Sequence, residues 1–132
     1  MMITFRFQQR FVPLVREGMK LQCYRRHETP RLRAGERFST RSETSFTPIT
    51  ANLVCTAVMP IHIAFLGDLI DTIRLRGVPQ GFDLERERFA VQEGFIDIDD
   101  MSAWHAEQYG TAPFDGFLYE WAMPRHEREI AA

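Results

Sequence analysis

A run of alternating apolar residues in the middle of the chain limits the folds that the sequence can adopt. The apolar positions of this run are Leu53, Cys55, Ala57, Met59 and Ile61. Period two is the spacing of side chains on one face of a β-strand, so the run predicts a long strand. The apolar stretch that contains it, residues 53–66, is interrupted by Thr56, Pro60 and His62. It is shorter than the roughly 18 residues that a membrane span needs, and no membrane partner is expected.

Weaker patterns on both sides of this strand predict the other elements. Alternation predicts strands over residues 3–7, 22–26, 36–41 and 114–121. A short helix is predicted after the first strand, closed by Gly18, and two longer ones over residues 84–92 and from Ile98 onwards. Asp97 is the expected N-cap of the last helix, and Gly110 closes it. Residues 65–81 are expected to form a short helical turn and then a strand before Pro79.

This order of elements predicts an α+β fold, in which helices pack on the outside of a small, partly open β-barrel. With 132 residues, the chain is long enough for one domain with its own core. We expect this domain to cover residues 1–124 and a polar tail to cover residues 125–132. Two cysteines in unrelated contexts predict no disulfide, and no signal peptide is recognised, so the cytoplasm is the expected compartment. The sequence does not determine the oligomeric state.

Charges are distributed unevenly along the chain. Residues 1–41 hold ten basic and three acidic side chains, whereas residues 42–132 hold six basic and fifteen acidic ones. The first third is therefore suited to form a basic face that binds phosphates or an RNA backbone. The alternative is that the two parts pack together and neutralise each other.

Lys20 is the single lysine of the chain, beside fifteen arginines. Arginine can replace lysine for solubility or phosphate contacts, but only an ammonium group is readily brought to a pKa at which it exchanges protons. Lys20 is therefore a candidate catalytic residue, with Cys23 and Arg25 close to it in sequence. A bias towards arginine that left one surface lysine explains the count at least as well.

Sequence motifs of several other site types do not occur in the chain. The histidines are not paired at helical spacing, and there is no C-x-x-C pair, so no metal site is predicted; they are His27, His62, His105 and His126. There is also no P-loop, no Gly-rich dinucleotide fingerprint and no G-x-S-x-G motif. The sequence therefore predicts no cofactor.

The segment around the single lysine reads Gly18-Met19-Lys20-Leu21-Gln22-Cys23-Tyr24-Arg25. It resembles the G-x-K-x-x-T-x-R hallmark of the ASCH family, which consists of small PUA-like barrels associated with RNA. Residues 7–11, 34–35, 54–59, 90–95, 113–117 and Trp121 also resemble ASCH proteins of the phage and prophage type. The resemblance implies a PUA-like α+β barrel of five or six mixed strands with two or three flanking helices.

The resemblance implies a module that binds RNA, a nucleotide or a modified nucleoside in a cleft around Lys20 and Arg25. Further candidates for contacts with this ligand are Arg10, Tyr24 and Arg26. Tyr24 can stack on a base if its ring is exposed. If its ring is buried, it packs in the barrel instead.

A second function is implied because some members of the family are amidohydrolases that deacetylate N4-acetylcytidine. Their catalytic Lys, Thr and Glu match Lys20, Cys23 and Glu93. A lysine can remove the proton of a nucleophile, and a carboxylate can protonate the departing amine. Ribonuclease activity, which has been attributed to members of the family, is a third alternative.

Two of these matches have another explanation. Cys23 stands where the family has Thr, and it is either a stronger nucleophile or a small buried apolar residue in a site that only binds. In the first case, Lys20 and Arg25 should lower the pKa of its thiol. Glu93 follows a run of Glu and Arg residues, and without a role in a site it should be solvated.

Overall fold

A computed structural model of the chain describes residues 3–75, 78–79 and 83–123. Its strands are β1 (Ile3–Phe7), β2 (Gln22–Arg25), β3 (Arg37–Ser42), β4 (Pro48–Leu66), β5 (Leu69–Leu75), β6 (Val78–Pro79) and β7 (Phe114–Ala122). Its helices are α1 (Val12–Arg16), which follows a short 3-10 helix at Gln9–Phe11, α2 (Asp83–Glu93) and α3 (Ile98–Tyr109). The expected α+β class is therefore confirmed. Within the described ranges, no helix has both the length and the apolarity to cross a membrane.

The β-sheet is mixed because it contains both parallel and antiparallel pairs of strands. β1 runs parallel to β3, with Ile3 opposite Phe38 and Phe7 opposite Ser42. β3 is antiparallel to β4, β4 to β5, and β5 to β6. β7 pairs with both β2 and β4. Over the described residues, the pairing branches at β4 and ends at β1, β6 and β2, so the sheet is not a closed ring.

The chain divides into two compact units, each made of separate segments. The first unit comprises Met1–Cys23, Pro30–Val58 and Tyr119–Ala132, and the second comprises Tyr24–Thr29 and Met59–Leu118. β2, β4 and β7 each contribute residues to both units.

Aromatic rings form the core of the first unit. The centroid of the Phe5 ring lies 5.4 Å from that of Phe38 and 5.0 Å from that of Tyr119. Phe38 also contacts Trp121, at 5.6 Å between centroids. Each such ring buries about 150–250 Å² of surface, so these contacts supply much of the hydrophobic stabilisation of the unit. The Tyr119 hydroxyl accepts a hydrogen bond from the backbone N–H of Arg31 at 2.9 Å, which satisfies its polar end.

Helix α3 is the best-defined element of the second unit. As predicted, Asp97 caps it, because its carboxylate accepts a hydrogen bond from the backbone N–H of Asp100 at 2.8 Å. Gly110 ends it with φ of 84°, in the left-handed region that favours glycine. The buried Ser102 hydroxyl accepts a hydrogen bond from the backbone N–H of Ile70 at 2.9 Å, which fixes α3 against β5.

Most predicted elements are confirmed to within two residues, and the long central strand extends further than its alternating run, over Pro48–Leu66. The short helical turn expected after Phe65 is wrong. β4 and β5 instead form a hairpin, and Gly67 in its two-residue turn has φ of 64°. Tight hairpin turns require this left-handed conformation, which explains the glycine. The predicted polar tail, residues 125–132, lies outside the described residues.

Candidate functional site

A tight turn in the first unit fixes the backbone of Lys20. The N–H groups of Met19 and Lys20 both donate to the carbonyl oxygen of Leu14, at 2.9 and 3.0 Å. Gly18 has φ of 74°, and a Cβ at this position would lie 3.2 Å from Cγ of Met123. The glycine of the hallmark segment therefore allows α1 to end and the chain to enter β2 through Lys20.

The side chain of Lys20 is buried, with 3% of its surface exposed. Its Nζ lies 5.0 Å from the centroid of the Phe11 ring. The guanidinium of Arg10, an exposed residue, lies 5.2 Å from the same ring. A cation over an aromatic ring gains about 0.5–2 kcal/mol, which is less than the cost of removing an ammonium from water. Because its side chain is buried, Lys20 is not the surface lysine that a bias towards arginine would leave.

Both cysteines are buried free thiols of the first unit. Cys23 lies on β2 with 5% of its surface exposed, and Cys55 lies on β4 with none. Burial raises the pKa of the Cys55 thiol, and the Cys55 thiol donates to the carbonyl oxygen of Ala57 at 3.6 Å. The burial of Cys23 agrees with a packing role, and its role as a nucleophile stays a prediction.

Glu93, at the end of α2 in the second unit, is buried with 1% of its surface exposed. The solvated position expected for a glutamate without a site role is therefore wrong. Glu93 acts electrostatically on Tyr24: burial, and then the negative charge of Glu93, raise the pKa of Tyr24 well above its usual range. Tyr24 is itself buried, so it packs in the core, and its burial argues against stacking on a ligand base.

Among the Lys, Arg, Asp and Glu residues that the structure describes, only Lys20 and Glu93 are buried. Lysine and glutamate are almost never fully buried unless other groups compensate their charge. The two charged side chains that the fold buries are thus the two charged members of the candidate catalytic set, whereas the candidate binding residues Arg10 and Arg26 are exposed. Lys20 belongs to the first unit and Glu93 to the second.

Arg25 is the last residue of the hallmark segment, Arg26 follows it, and both belong to the second unit. Arg25 is half-buried, and the backbone of β7 passes so close to it that a Cβ at Gly116 would overlap its carbonyl oxygen. Arg26 is exposed, and its guanidinium lies 5.2 Å from the ring centroid of Tyr109 and 5.1 Å from that of Phe114. The aromatic rings therefore hold the Arg26 guanidinium in place while one side stays open to solvent.

A cavity of about 630 Å³ opens in the second unit. Its charged and titratable lining residues are Arg26, His27, Glu28, His62, Arg74 and Asp115. The Nδ1 atom of His62 and a carboxylate oxygen of Asp115 are 2.8 Å apart. Pro60, Ile61 and Phe117 add apolar surface. The residues that directly follow the hallmark segment thus form part of a concave site with both charged and apolar lining residues.

Sequence reasoning missed most of this cavity. From the sequence, His62 is an interruption of an apolar run and one of four scattered histidines, and Asp115 lies 53 residues further along the chain. The β4–β5 hairpin places His62 and Arg74 opposite each other. The sequence predicts a helical turn in this region instead of a hairpin, so the pairing of these two residues could not be read from it.

In the described parts of the chain, no group of three or more His, Cys, Asp or Glu side chains is placed to hold a metal ion. Comparisons with protein-family models, with curated proteins and with solved structures find no match for this chain. The function is therefore argued from the residues of the site.

Proposed function

We propose that the chain is an ASCH-type module that binds RNA or a nucleotide. The observation that carries this proposal is the cavity of the second unit, which begins where the hallmark segment ends. Arg26 and His27 line it from the end of β2, and His62 and Arg74 line it from the β4–β5 hairpin. Four side chains that can carry positive charge therefore surround one concave space.

The chemistry of the cavity matches the parts of a nucleotide. Guanidinium groups such as those of Arg26 and Arg74 bind phosphate oxygens in a bidentate manner. The carboxylate of Glu28 can accept hydrogen bonds from a sugar hydroxyl or a base amino group. The apolar surface of Ile61 and Phe117 suits a base or sugar ring. The volume, about 630 Å³, falls within the range of small-molecule sites.

Binding of a labelled oligoribonucleotide, measured by fluorescence anisotropy over a range of salt concentrations, tests this proposal. The logarithm of the affinity should fall linearly with the logarithm of the salt concentration. Arg26→Ala and Arg74→Ala should each weaken binding by about tenfold, as expected for the loss of a charge-assisted contact. Arg88→Ala, an exposed arginine of α2 outside the cavity, is the matched control. Absence of binding to RNA and nucleotides at low salt would refute the proposal.

A second candidate function is an amidohydrolase that acts on N4-acetylcytidine-like nucleosides through Lys20, Cys23 and Glu93. The burial of Lys20 and Glu93 favours it, because buried ionisable side chains are concentrated at functional sites. In this reaction, Lys20 takes the proton of the Cys23 thiol, and the sulfur attacks the acetyl carbonyl carbon. The C–N bond then breaks as Glu93 protonates the departing amine, and water releases acetate from the thioester.

Release of cytidine from N4-acetylcytidine, followed by chromatography, tests the second candidate. Lys20→Met and Glu93→Gln should abolish the release, whereas Arg88→Ala should not change it. Activity that appears only in Cys23→Thr would show that the nucleophile was lost in this chain. No release above the Lys20→Met background in either the parent or Cys23→Thr would exclude the hydrolase.

A further inference from the structure

His62 and Arg74 face each other on one wall of the cavity. The register of the β4–β5 hairpin places His62 directly opposite Arg74, and both side chains line the cavity. Residues opposite each other in an antiparallel pair have their Cβ atoms about 4.5–5.5 Å apart on the same face of the sheet. An anionic group at this wall can therefore contact both side chains at once.

Asp115 fixes the orientation of the imidazole on this wall. Its carboxylate lies 2.8 Å from Nδ1 of His62, and the His62 side chain keeps 33% of its surface exposed. A carboxylate at Nδ1 holds a proton on that nitrogen, which leaves Nε2 to interact with a ligand. When Nε2 is protonated, it becomes a fixed donor beside the guanidinium of Arg74.

The cavity presents several groups that can contact an anion. The charges of Arg26 and Arg74 are matched in number by those of Glu28 and Asp115, and the imidazoles of His27 and His62 add further hydrogen-bonding nitrogens. A phosphomonoester carries about 1.5 to 2 negative charges near neutral pH and offers three terminal oxygens. A phosphodiester within an RNA strand carries one negative charge and has two unesterified oxygens, so it matches this set of donors less well.

We propose that the cavity binds the terminal phosphomonoester of a nucleotide, either free or at the end of an RNA strand. Arg26 and Arg74 hold the phosphate oxygens, and His62, oriented by Asp115, donates a further hydrogen bond. The inference rests on the proposed function for the base and sugar contacts, and it adds a preference for a phosphorylated end over an internal phosphate.

The test compares three short oligoribonucleotides of one sequence, which carry a 5′-phosphate, a 3′-phosphate or hydroxyl groups at both ends. It also includes a nucleoside and its 5′-monophosphate as free ligands. Affinities are measured by isothermal titration calorimetry at pH 6.5. One of the phosphorylated strands should bind at least about tenfold more tightly than the unphosphorylated strand, the effect of one or more charge-assisted hydrogen bonds. Arg74→Gln and Asp115→Asn should abolish most of this preference, and Arg88→Gln should preserve it.

The outcomes separate this inference from the proposed function. Equal binding of all three strands would overturn the phosphate preference and leave RNA binding intact. Failure of every ligand to bind would overturn both. A preference that persists unchanged in both Arg26→Gln and Arg74→Gln would show that the phosphate lies elsewhere and would overturn the assignment of the cavity. Tighter binding of the free monophosphate than of the strand, or the reverse, identifies which source of the phosphate the cavity prefers, and either result supports the inference.

Discussion

The hydroxyl of Tyr24 and Nδ1 of His105 are 2.9 Å apart in a hydrogen bond within the second unit. The two rings stack with an interplanar angle of 22°. His105 is fully buried, and its Nε2 has no hydrogen-bond partner among the described residues. Burial, and then the positive charge of Arg26, lower the pKa of His105 to about 4. The residue that follows Cys23 in the hallmark segment is thus tied to α3 through a neutral histidine.

The buried histidine predicts a loss of stability in mild acid. Histidine in an unfolded chain has a pKa of about 6.5, so below that pH the unfolded state binds a proton that the folded state excludes. The stabilisation is fully present above pH 6.5 and is lost as the pH falls towards the folded value of about 4. Between pH 7.5 and 4.5 this group should reduce the free energy of unfolding by about 2–3 kcal/mol, measured by urea denaturation.

The control for this prediction is His105→Gln, which keeps a hydrogen-bonding side chain but does not titrate. Its free energy of unfolding should change less over the same pH range, because the contributions of the carboxylates are common to both proteins. An equal pH dependence in parent and variant would show that His105 does not cause the effect.

Replacement of Gly116 should be poorly tolerated. A Cβ there would overlap the carbonyl oxygen of Arg25, and a backbone atom cannot move aside as a flexible side chain can. We expect Gly116→Ala to reduce the free energy of unfolding by about 2–3 kcal/mol. Gly67→Asn is the control, because Gly67 has open space around it and asparagine tolerates its left-handed backbone. Similar stability of the two variants would contradict the close approach.

Lys20→Met separates a functional from a structural role of the buried lysine. Methionine has a similar length and removes the cost of burying an ammonium, which should offset the loss of the contacts that compensate its charge, so stability should stay within about 1 kcal/mol of the parent. RNA binding or deacetylation should nevertheless be lost if Lys20 serves the site. A loss of several kcal/mol in urea denaturation, with function retained in the folded fraction, would instead assign Lys20 to the core.

The thiol of Cys55 should be unreactive in the folded protein. Cys55 has no exposed surface, and its thiol pKa is raised by burial, so little thiolate forms at Cys55 near pH 8. In Cys23→Ser, the remaining thiol should react with Ellman's reagent only after denaturation. Rapid labelling of folded Cys23→Ser, at the rate seen in the unfolded protein, would refute this. The same labelling experiment on Cys55→Ser measures the reactivity of the Cys23 thiol.

The elements that the sequence predicts correctly have local causes. Asp97 and Gly110 bracket α3 by capping, and Gly18 ends α1 by its left-handed backbone, so a few neighbouring residues determine each boundary. The hairpin after Phe65 was mispredicted because Gly67 and Asp68 suit either a helical turn or a two-residue hairpin turn. Pairing between β4 and β5 decides between them, and a single segment does not contain that information.

In the candidate site too, features with local causes could be predicted from the sequence, and features that depend on distant residues could not. Lys20 stands out in the sequence because it is the single lysine, and its position in the turn before β2 follows from local patterns. The burial of Glu93 could not be predicted, since α2 has no clear apolar stripe around it. The pair of His62 and Asp115 could not be predicted either, because β4 and β7 bring together residues that are distant in sequence.

The first unit is built from segments that lie far apart in the sequence, and this affects how it folds during synthesis. The ring of Phe7 on β1 packs against Trp121 on β7, with 6.2 Å between centroids. A ribosome that adds about 5–20 residues per second needs roughly 6–23 s to pass from one of these residues to the other. During that interval, phenylalanines of β1 lack their aromatic cover and can associate with other chains. Expression at lower temperature or with added chaperones should therefore increase the soluble yield more than it would for a domain built from contiguous segments.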